Sequence, residues 1–220
     1  GGLYSRSALR KSILKLRRLG YFSDVQMEAT EIINMPDKIN LTFVVEETQT
    51  GSVSFSVSHS NNYGISVGAG IQEKNIFGSG NTFNADFKVS ESFNKISFYF
   101  KNPNFNELNH SISIGAFVSE LKDNDVVQNS YEVNTKGLSL GYGIPLKEDT
   151  RIEASLEFSQ NEVKCGALFL TSNYESSQCA SSTNDEFKLS ANWNENTLNA
   201  FMYPTDGASN SISAGIALPI

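Results

Sequence analysis

The sequence predicts a mostly β protein: about nine strands of a transmembrane antiparallel β-barrel, forming a partial barrel, preceded by the end of a small α+β domain. Phe (15) and Tyr (8) far outnumber Trp (1), a composition that favours strands. From residue 52 onward, apolar residues recur at every second position. The predicted strands are about 8 to 12 residues long, close to the length that lets a tilted strand cross a bilayer.

The chain begins with a helical pattern. Leu9, Ile13 and Leu16 repeat at the spacing of one helix face, and Gly20 supplies a stop signal. Most of the nearby Lys and Arg residues fall elsewhere on the helix, which predicts a basic amphipathic helix. Such a helix could bind a membrane surface or an acidic partner, but we favour a solvated face on a small packed domain.

Two strands should follow this helix, over residues 24–30 and 38–47. A turn signal, Asn34–Asp37, separates them. Helix, strand, turn and strand make a small α+β unit that lacks its beginning. We therefore assign residues 1–48 to the C-terminal part of one domain and residues 49–220 to the barrel.

The strands of the barrel segment are predicted from period-two alternation. Nine segments carry it, and their apolar positions run over residues 53–57, 65–71, 83–89, 96–100, 112–118, 138–146, 152–158, 187–193 and 212–218. The two longest connections lie at 119–131 and 160–185, on the side away from the small domain. Long loops on one side and shorter turns on the other are typical of outer-membrane barrels.

The alternate face of these strands is polar or small, and it carries charges in mid-strand at Asp86, Lys88, Glu153 and Glu157. A water-soluble sandwich also alternates, so alternation does not by itself identify the solvent. Mid-strand charges beside Gly and Ser suit a water-filled lumen. Aromatic residues near predicted strand ends also favour a membrane, as an interfacial girdle of Tyr63, Phe77, Phe93, Phe105, Tyr131, Phe158, Phe201 and Tyr203.

Charge and composition exclude several classes. The net charge is −7, distributed as +1 over residues 1–47 and −8 beyond, which argues against a nucleic-acid partner because such binding needs clustered cations. No apolar run approaches the roughly 18 to 20 residues of a membrane-spanning helix. We expect no metal site, because the two histidines, His59 and His110, lie far from both cysteines.

The two cysteines, Cys165 and Cys179, bracket a segment rich in Ser and Asn. In an oxidising compartment a disulfide between them would close this loop and restrict the unfolded chain. Two free thiols are the alternative.

We predict no enzymatic activity and no cofactor. The sequence lacks GxSxG, HExxH and P-loop motifs, and no histidine lies near a cysteine. Asp86, Glu153 and Glu157 are interpreted as solvated lumen charges rather than as an acid/base pair.

Nine strands is an odd number, whereas single-chain bacterial barrels have an even number. An open sheet would also leave two edges without backbone partners in lipid. We therefore expect the chain to be a fragment of a longer barrel.

Four separated motifs give the sequence a family resemblance. They are LRRLGYFSDV (16–25), VVEETQTGSVSFSV (44–57), GAGIQEKNIFGSGN (68–81) and FMYPTDGASNSISAGIALP (201–219). In order and spacing they resemble the BamA family of outer-membrane-protein assembly factors, from the later half of the last POTRA domain into the first nine of sixteen barrel strands. Two turn motifs carry much of this likeness, at Asn75, Gly78, Gly80 and Asn81 and at Tyr203, Pro204, Thr205, Asp206 and Gly207.

The resemblance implies an assembly factor that inserts and folds β-barrel proteins into the outer membrane without ATP. The implied partners are nascent outer-membrane β-barrel proteins, accessory assembly lipoproteins and outer-membrane lipid, and the implied location is the outer membrane of a Gram-negative bacterium, with the POTRA part in the periplasm. A TamA-type assembly factor or a two-partner transporter pore that secretes a polypeptide is the alternative.

In this family the first barrel strand forms one side of a lateral seam. The matching residues here are Ser52, Val53, Ser54, Phe55, Ser56, Val57 and Ser58. The strand has three large side chains on one face and only serine on the other. We therefore expect weak side-chain coupling to its closing partner, so that backbone pairing dominates and a client strand can imitate it.

Overall fold

The computed structural model describes residues 4–33, 35–61, 64–123, 131–165, 181–200 and 203–219. The chain divides into two compact units, one of residues 1–50 with 195–210 and the other of residues 51–194 with 211–220. Among the described residues, no helix combines the length and the apolar character needed to cross a membrane.

The predicted helix is present as α1, Arg6–Leu19. Ser5 caps its N-terminus, because the Ser5 hydroxyl accepts a hydrogen bond from the Ala8 N–H at 3.4 Å. Gly20 ends the helix with a φ of 70°, the left-handed conformation that glycine adopts without a steric penalty.

Two antiparallel strands follow, β1 (Phe22–Ile32) and β2 (Met35–Glu47). Val25 is the buried centre of this unit, with 2% of its surface exposed. The turn is tighter than predicted: Ile32 pairs with Met35, and β2 already includes residues 35–37. β2 includes Pro36, and proline is compatible with an edge strand because it lacks only an N–H group that an edge strand can leave unpaired.

The remaining strands form one nine-stranded sheet, which confirms the predicted fold class. They are β3 (Gly51–Ser60), β4 (Gly64–Glu73), β5 (Thr82–Ser90), β6 (Phe93–Asn102), β7 (Ser111–Asp123), β8 (Tyr131–Lys147), β9 (Thr150–Cys165), β10 (Ser182–Asn196) and β11 (Ser209–Pro219). Spatial order equals chain order, so β3 and β11 are the two edges of the described sheet. A meander of this kind is an open barrel wall.

The two faces of the sheet differ as predicted. We call the face that carries Val53 and Phe55 the outer face, and the face that carries Ser54 and Ser56 the inner face. Large apolar side chains on the outer face are exposed in every strand from β3 to β11. An extended exposed apolar face is normal where the solvent is lipid.

The strands β7, β8 and β9 extend further than predicted. Residues 119–123 belong to β7, 131–136 to β8 and 160–165 to β9, so the expected loops over 119–131 and 160–185 are shorter. The apolar alternation ends at Val118, Leu138 and Phe158, whereas the backbone ladder continues through Glu120, Asn134 and Glu162. Alternation marks the lipid-covered part of a strand, and this extension carries polar residues on the outer face.

Of the predicted girdle aromatics, Phe77, Phe105 and Tyr203 lie exposed in turns. Phe158 is in the middle of β9, so its assignment to a strand end was wrong. Tyr63 and Phe201 lie outside the described residues. So do Cys179 and the side chain of Cys165, and the Cys165–Cys179 disulfide stays a prediction.

Candidate functional site

The seam residues 52–58 all lie in β3, the edge strand of the described sheet. Only three residues separate β3 from β2. The N–H of the first of them, Thr48, donates a hydrogen bond to the Tyr21 carbonyl at 3.0 Å. The edge strand therefore starts directly after the β1–β2 hairpin.

The outer side of β3 carries three widely exposed side chains. Val53 is 63% exposed, Phe55 82% and Val57 77%. Their cross-strand partners on β4 are the smaller or branched residues Ile71, Ala69 and Val67. Among the described strands these three residues pair only with β4, and most of their surface is exposed.

The inner side of β3 pairs serine with glycine. Ser54 is directly opposite Gly70, and Ser56 is opposite Gly68. A Cβ added to Gly70 would lie 2.8 Å from the Ser54 hydroxyl, and one added to Gly68 would lie 2.6 Å from the Ser56 hydroxyl. Each serine therefore occupies the space above its glycine, and the inner wall stays low.

This low wall borders a polar hollow on the inner face. The hollow has a volume of about 390 Å³ and is lined by Ser54, Ser56, Ser58, Asp86, Lys88 and Lys95, among others. Lys88 and Lys95 are directly opposite each other on β5 and β6. Each ammonium group lies over an aromatic ring, Lys88 over Phe93 at 5.8 Å and Lys95 over Phe117 at 5.5 Å.

The same pairing of serine with glycine recurs inside the sheet. On β7 and β8, Ser111 is opposite Gly143, Ser113 is opposite Gly141, and Gly115 is opposite Ser139. Here, however, long side chains from β6 and β9 extend over the small residues.

Lys101 on β6 forms an ion pair with Glu153 on β9, across both intervening strands. On a flat sheet their Cα atoms would be about 16 Å apart, from three strand spacings and an offset of two residues. Side chains that leave a flat sheet perpendicularly do not close such a distance. The sheet therefore curls toward its inner face between β6 and β9.

Gly143 makes room for this ion pair. A Cβ on Gly143 would lie 2.9 Å from Cγ of Glu153 and would also collide with the Ser111 hydroxyl. Ser111 is 2% exposed, so it is covered from above. We call Lys101, Glu153, Ser111 and Gly143 the inner brace.

Arg151, two residues before Glu153, extends the brace to the β6–β7 turn. Its guanidinium donates hydrogen bonds to the Pro103 carbonyl at 3.4 Å and to the Asn109 carbonyl at 3.1 Å. Both ends of this turn are thereby connected to β9. Asn109 has a φ of 57°, a conformation that asparagine tolerates better than most residues.

The first family turn, Asn75 to Asn81, is closed by its own residues. The Ile76 N–H donates to the Asn81 carbonyl at 3.0 Å, and the Asn75 side-chain oxygen accepts from the Gly80 N–H at 2.7 Å. Gly78 and Gly80 have φ values of 72° and 73°, which explains glycine at both positions. Turn geometry accounts for these residues.

The second family turn, between β10 and β11, is organised around Asn199. Its side-chain oxygen accepts from the N–H groups of Thr205 and Asp206 at 3.1 and 3.3 Å. Gly207 has a φ of 95°, and a Cβ there would collide with the Thr197 carbonyl.

Arg18, near the end of α1, also holds this turn. Its guanidinium donates to the Leu198 carbonyl at 2.6 Å and to the Thr197 carbonyl at 3.1 Å. Residues 195–210 belong to the same compact unit as residues 1–50, and these hydrogen bonds lie within that unit.

Sequence reasoning missed the inner brace and the role of Arg18. Lys101 and Glu153 are 52 residues apart, and only the strand register relates them. Arg18 and Leu198 are 180 residues apart. In hindsight, the glycines at inward positions of β8 were the available signal, because they leave room for a neighbouring side chain.

Comparison with known proteins agrees with this geometry. Residues 75–220 match the Omp85 superfamily domain, and residues 1–48 match the POTRA family, described as a surface antigen variable number repeat. The outer membrane protein assembly factor BamA of Neisseria meningitidis serogroup B is 26% identical over 98% of this chain. BamA of Nitratidesulfovibrio vulgaris is 28% identical over 67% of it. The chain spans 28% and 18% of the lengths of these two relatives.

Solved structures show the same fold. The crystal structure of BamA from Haemophilus ducreyi lacking POTRA domains 1–3 has a TM-score of 0.69, with 23% identity, over 99% of this chain and 43% of that one. CdiB from Acinetobacter baumannii has a TM-score of 0.55, with 12% identity, over 91% of this chain and 38% of that one. The resemblance to BamA seen in the motifs is thus confirmed. Because the superfamily match covers more than half of its residues, the chain belongs to the Omp85 superfamily of outer-membrane β-barrel proteins.

Proposed function

We propose that this chain is the seam-bearing part of a factor that inserts and folds β-barrel proteins into the outer membrane. Its POTRA part, residues 1–48, lies in the periplasm, and residues 49–220 form the first part of the barrel. The observation that supports this proposal is the makeup of β3, the first strand after the POTRA part, whose inner side carries only serine with Ser54 and Ser56 opposite glycines. Relatives named as outer membrane protein assembly factors support the same activity.

The edge strand provides the recognition chemistry. In lipid, every backbone N–H and C=O must be paired within protein, because no water is present to replace a missing partner. A client strand that arrives without its own neighbour satisfies these groups by adding to β3. Recognition is then mainly by backbone hydrogen bonds, which accept many client sequences.

The side chains of β3 suit such an exchange. The strand has hydroxyls rather than large side chains on its inner side, and its apolar outer side chains are mostly exposed. Neither face locks one specific partner in place. A closing strand that is held mainly by backbone bonds is displaced by another strand that makes the same bonds.

The proposed activity needs neither ATP nor covalent catalysis. The free energy comes from the client, whose strands gain paired backbone groups and a lipid-exposed apolar face as the barrel closes. Nascent β-barrel proteins are the proposed clients, and accessory assembly lipoproteins are proposed partners.

Cysteine crosslinking tests the site directly. In the full-length protein, with its native cysteines replaced by serine, Ser54→Cys or Ser56→Cys is combined with cysteines along a client's terminal strand. We expect disulfide adducts that form in one register, because an antiparallel pair brings opposite Cβ atoms to about 5 Å.

Ser113→Cys is the matched control. Ser113 is also an inner-face serine opposite a glycine, but β7 has a neighbour on both sides. No adducts along the whole of β3, or equal yields at Ser113→Cys, would contradict the seam assignment.

Reconstitution tests the energy source. The full-length protein is placed in vesicles with an unfolded client, in buffer from which apyrase has removed nucleotide. We expect heat-modifiable, protease-resistant client to accumulate at the rate seen with ATP. A rate that depends on ATP would contradict the proposal.

Secretion of a polypeptide through the lumen is the second candidate, supported by the fold shared with CdiB. At 12% identity this likeness shows the fold alone. The two activities separate in the same vesicles: assembly leaves the client in the bilayer, whereas secretion delivers it to the opposite compartment.

A further inference from the structure

The outer face has a hollow that neither the seam nor the assembly activity explains. It has a volume of about 570 Å³ and lies across β6 to β9. The small residue Ala116 lies at the bottom of the hollow. Phe98, Leu138 and Phe158 are at the same level on the neighbouring strands. The row runs Phe98, Ala116, Leu138, Phe158, so the one small side chain leaves a groove between Phe98 and Leu138.

One end of the hollow is polar. Lys136 and Gln160, which also line it, form the next row together with Val118. Lys136 is exposed, and it makes no ion pair with any carboxylate in the described part of the chain. Gln160 donates a hydrogen bond to Asp185 at 2.9 Å.

The neighbouring charged side chains form ion pairs with one another. Beyond Lys136, the Lys122 ammonium is 2.8 Å from Glu120, and Lys164 is 3.9 Å from Glu132 and 3.4 Å from Glu162. Lys136 is thus the lysine nearest the apolar band, and it is the one of these three without such a contact among the described residues.

Chain direction places Lys136 in the outer leaflet. The strand β3 leaves the periplasmic POTRA part, and successive strands are antiparallel through β8, so Tyr131 is at the external end of β8. Five outer-face residues from Leu138 to Leu146 then cover about 26 Å along the strand, or about 20 Å of membrane height at the usual tilt of about 40°. The two further residues to Lys136 bring this to about 25 Å, the height of the apolar band of a membrane barrel. Lys136 follows immediately, at the level of the head groups.

We propose that this hollow binds one lipid of the outer leaflet, a glycolipid with phosphate monoesters. One acyl chain lies over Ala116 between Phe98 and Leu138, and the phosphate pairs with the Lys136 ammonium. A phosphate monoester carries more than one negative charge at neutral pH, so it is the lipid head group that a lone ammonium at this level attracts most strongly.

Photocrosslinking from the rim of the hollow tests this site. A photoreactive amino acid replaces Val118 in the full-length protein, which is placed in phosphatidylcholine nanodiscs that contain a small fraction of bisphosphorylated lipid A. We expect lipid A adducts far above its share of the lipid. Lys136→Gln should lower their yield about fivefold, whereas Lys136→Arg should keep it.

Three further comparisons test separately the binding of the acyl chain and the binding of the phosphate. Ala116→Phe, which fills the hollow, should lower the yield, while Ala154→Phe, an outer-face alanine outside the hollow, should not. Lys88→Gln removes an equal charge from the inner face and should leave the yield of lipid A adducts unchanged. Dephosphorylated lipid A should lose the dependence on Lys136.

Heat-modifiable migration first establishes that each variant is folded. Equal lipid A yields with and without Lys136, equal losses from Ala116→Phe and Ala154→Phe, or adducts in proportion to bulk lipid would each overturn the proposal.

Discussion

The strands β3–β5, which we call the seam half, and the strands β6–β9, the braced half, share one inner-face design but differ in how it is held. Both place serine opposite glycine. In the braced half, the ion pair of Lys101 with Glu153 connects the first and last of the four strands β6–β9. Where the two halves meet, Lys88 on β5 faces Lys95 on β6, and like charges directly opposite each other weaken a strand pair.

The comparison shows that small residues have two opposite uses. Beneath long charged side chains, as at Gly143, they allow a connection across four strands and stiffen the wall. Gly68 and Gly70 are opposite the charged residues Lys88 and Asp86 of β5, but β3 has no Lys, Arg, Asp or Glu to pair with them, so β3 is held to β4 mainly by backbone bonds. The proposed exchange of partners at β3 needs the second use, and the wall beside it needs the first.

Hydrogen exchange should show the largest contrast. In the full-length protein in nanodiscs, we expect the amides of β3 to exchange about 100-fold or more faster than those of β7, because the proposed seam opens locally. Mass spectrometry of peptides from both strands measures the ratio. Equal protection would show that the seam half is as firmly held as the braced half.

Steric disruption of the brace should be the next largest effect. Gly143→Val places atoms against Ser111 and Glu153 and should lower the free energy of unfolding by about 1 to 3 kcal/mol, the usual range for overpacking. Gly70→Val is the matched control, since its neighbours are the ends of the Ser54 and Asp86 side chains at 2.8 and 3.1 Å. Urea titration of both variants measures the difference, and a greater loss for Gly70→Val would reverse the assignment.

The ion pair itself should contribute less. A double-mutant cycle of Lys101→Met and Glu153→Gln should give a coupling of about 1 kcal/mol, because both side chains are partly exposed. Lys88→Met combined with Glu153→Gln serves as the uncoupled control. A coupling near zero in the first cycle would reduce the brace to steric packing alone.

The smallest expected effect concerns Asp24 on β1, which lies outside both halves of the sheet. Hydrogen bonds from the Gln26 side chain and the Val25 N–H, with the nearby Arg17 guanidinium, lower the pKa of Asp24. A lowered folded-state pKa adds stability above the unfolded value of about 3.9, and this is lost as the pH falls through the folded-state value.

Asp24→Asn should therefore lower the melting temperature slightly at pH 7 and leave it unchanged at the acid end of the range. Circular dichroism of α1 during heating measures this. A loss of melting temperature that grows toward low pH would contradict this prediction.

The sequence alone was sufficient for the strand count and for the helix, since periods of two and 3.6 persist over whole elements. It underestimated β8 and β9, because their outer residues change from Leu138 to Lys136 and from Phe158 to Gln160 while the backbone pairing continues. It placed Glu153 in the lumen but not its partner, because Lys101 is brought near only by register and by the curl of the sheet. The outer hollow could not be predicted from the sequence for the same reason. Ala116 is visibly a small residue of β7, but it forms the floor of a hollow only because larger side chains on the neighbouring strands surround it.

The three residues between β2 and β3 have a mechanical consequence. Such a segment reaches at most about 11 Å when fully stretched, and the hydrogen bond from Thr48 to Tyr21 removes part of that slack. A displacement of β2 beyond this reach must pull on Gly51, the first residue of β3. A force applied to the POTRA part is therefore transmitted through this short segment to β3, the strand that we propose exchanges partners.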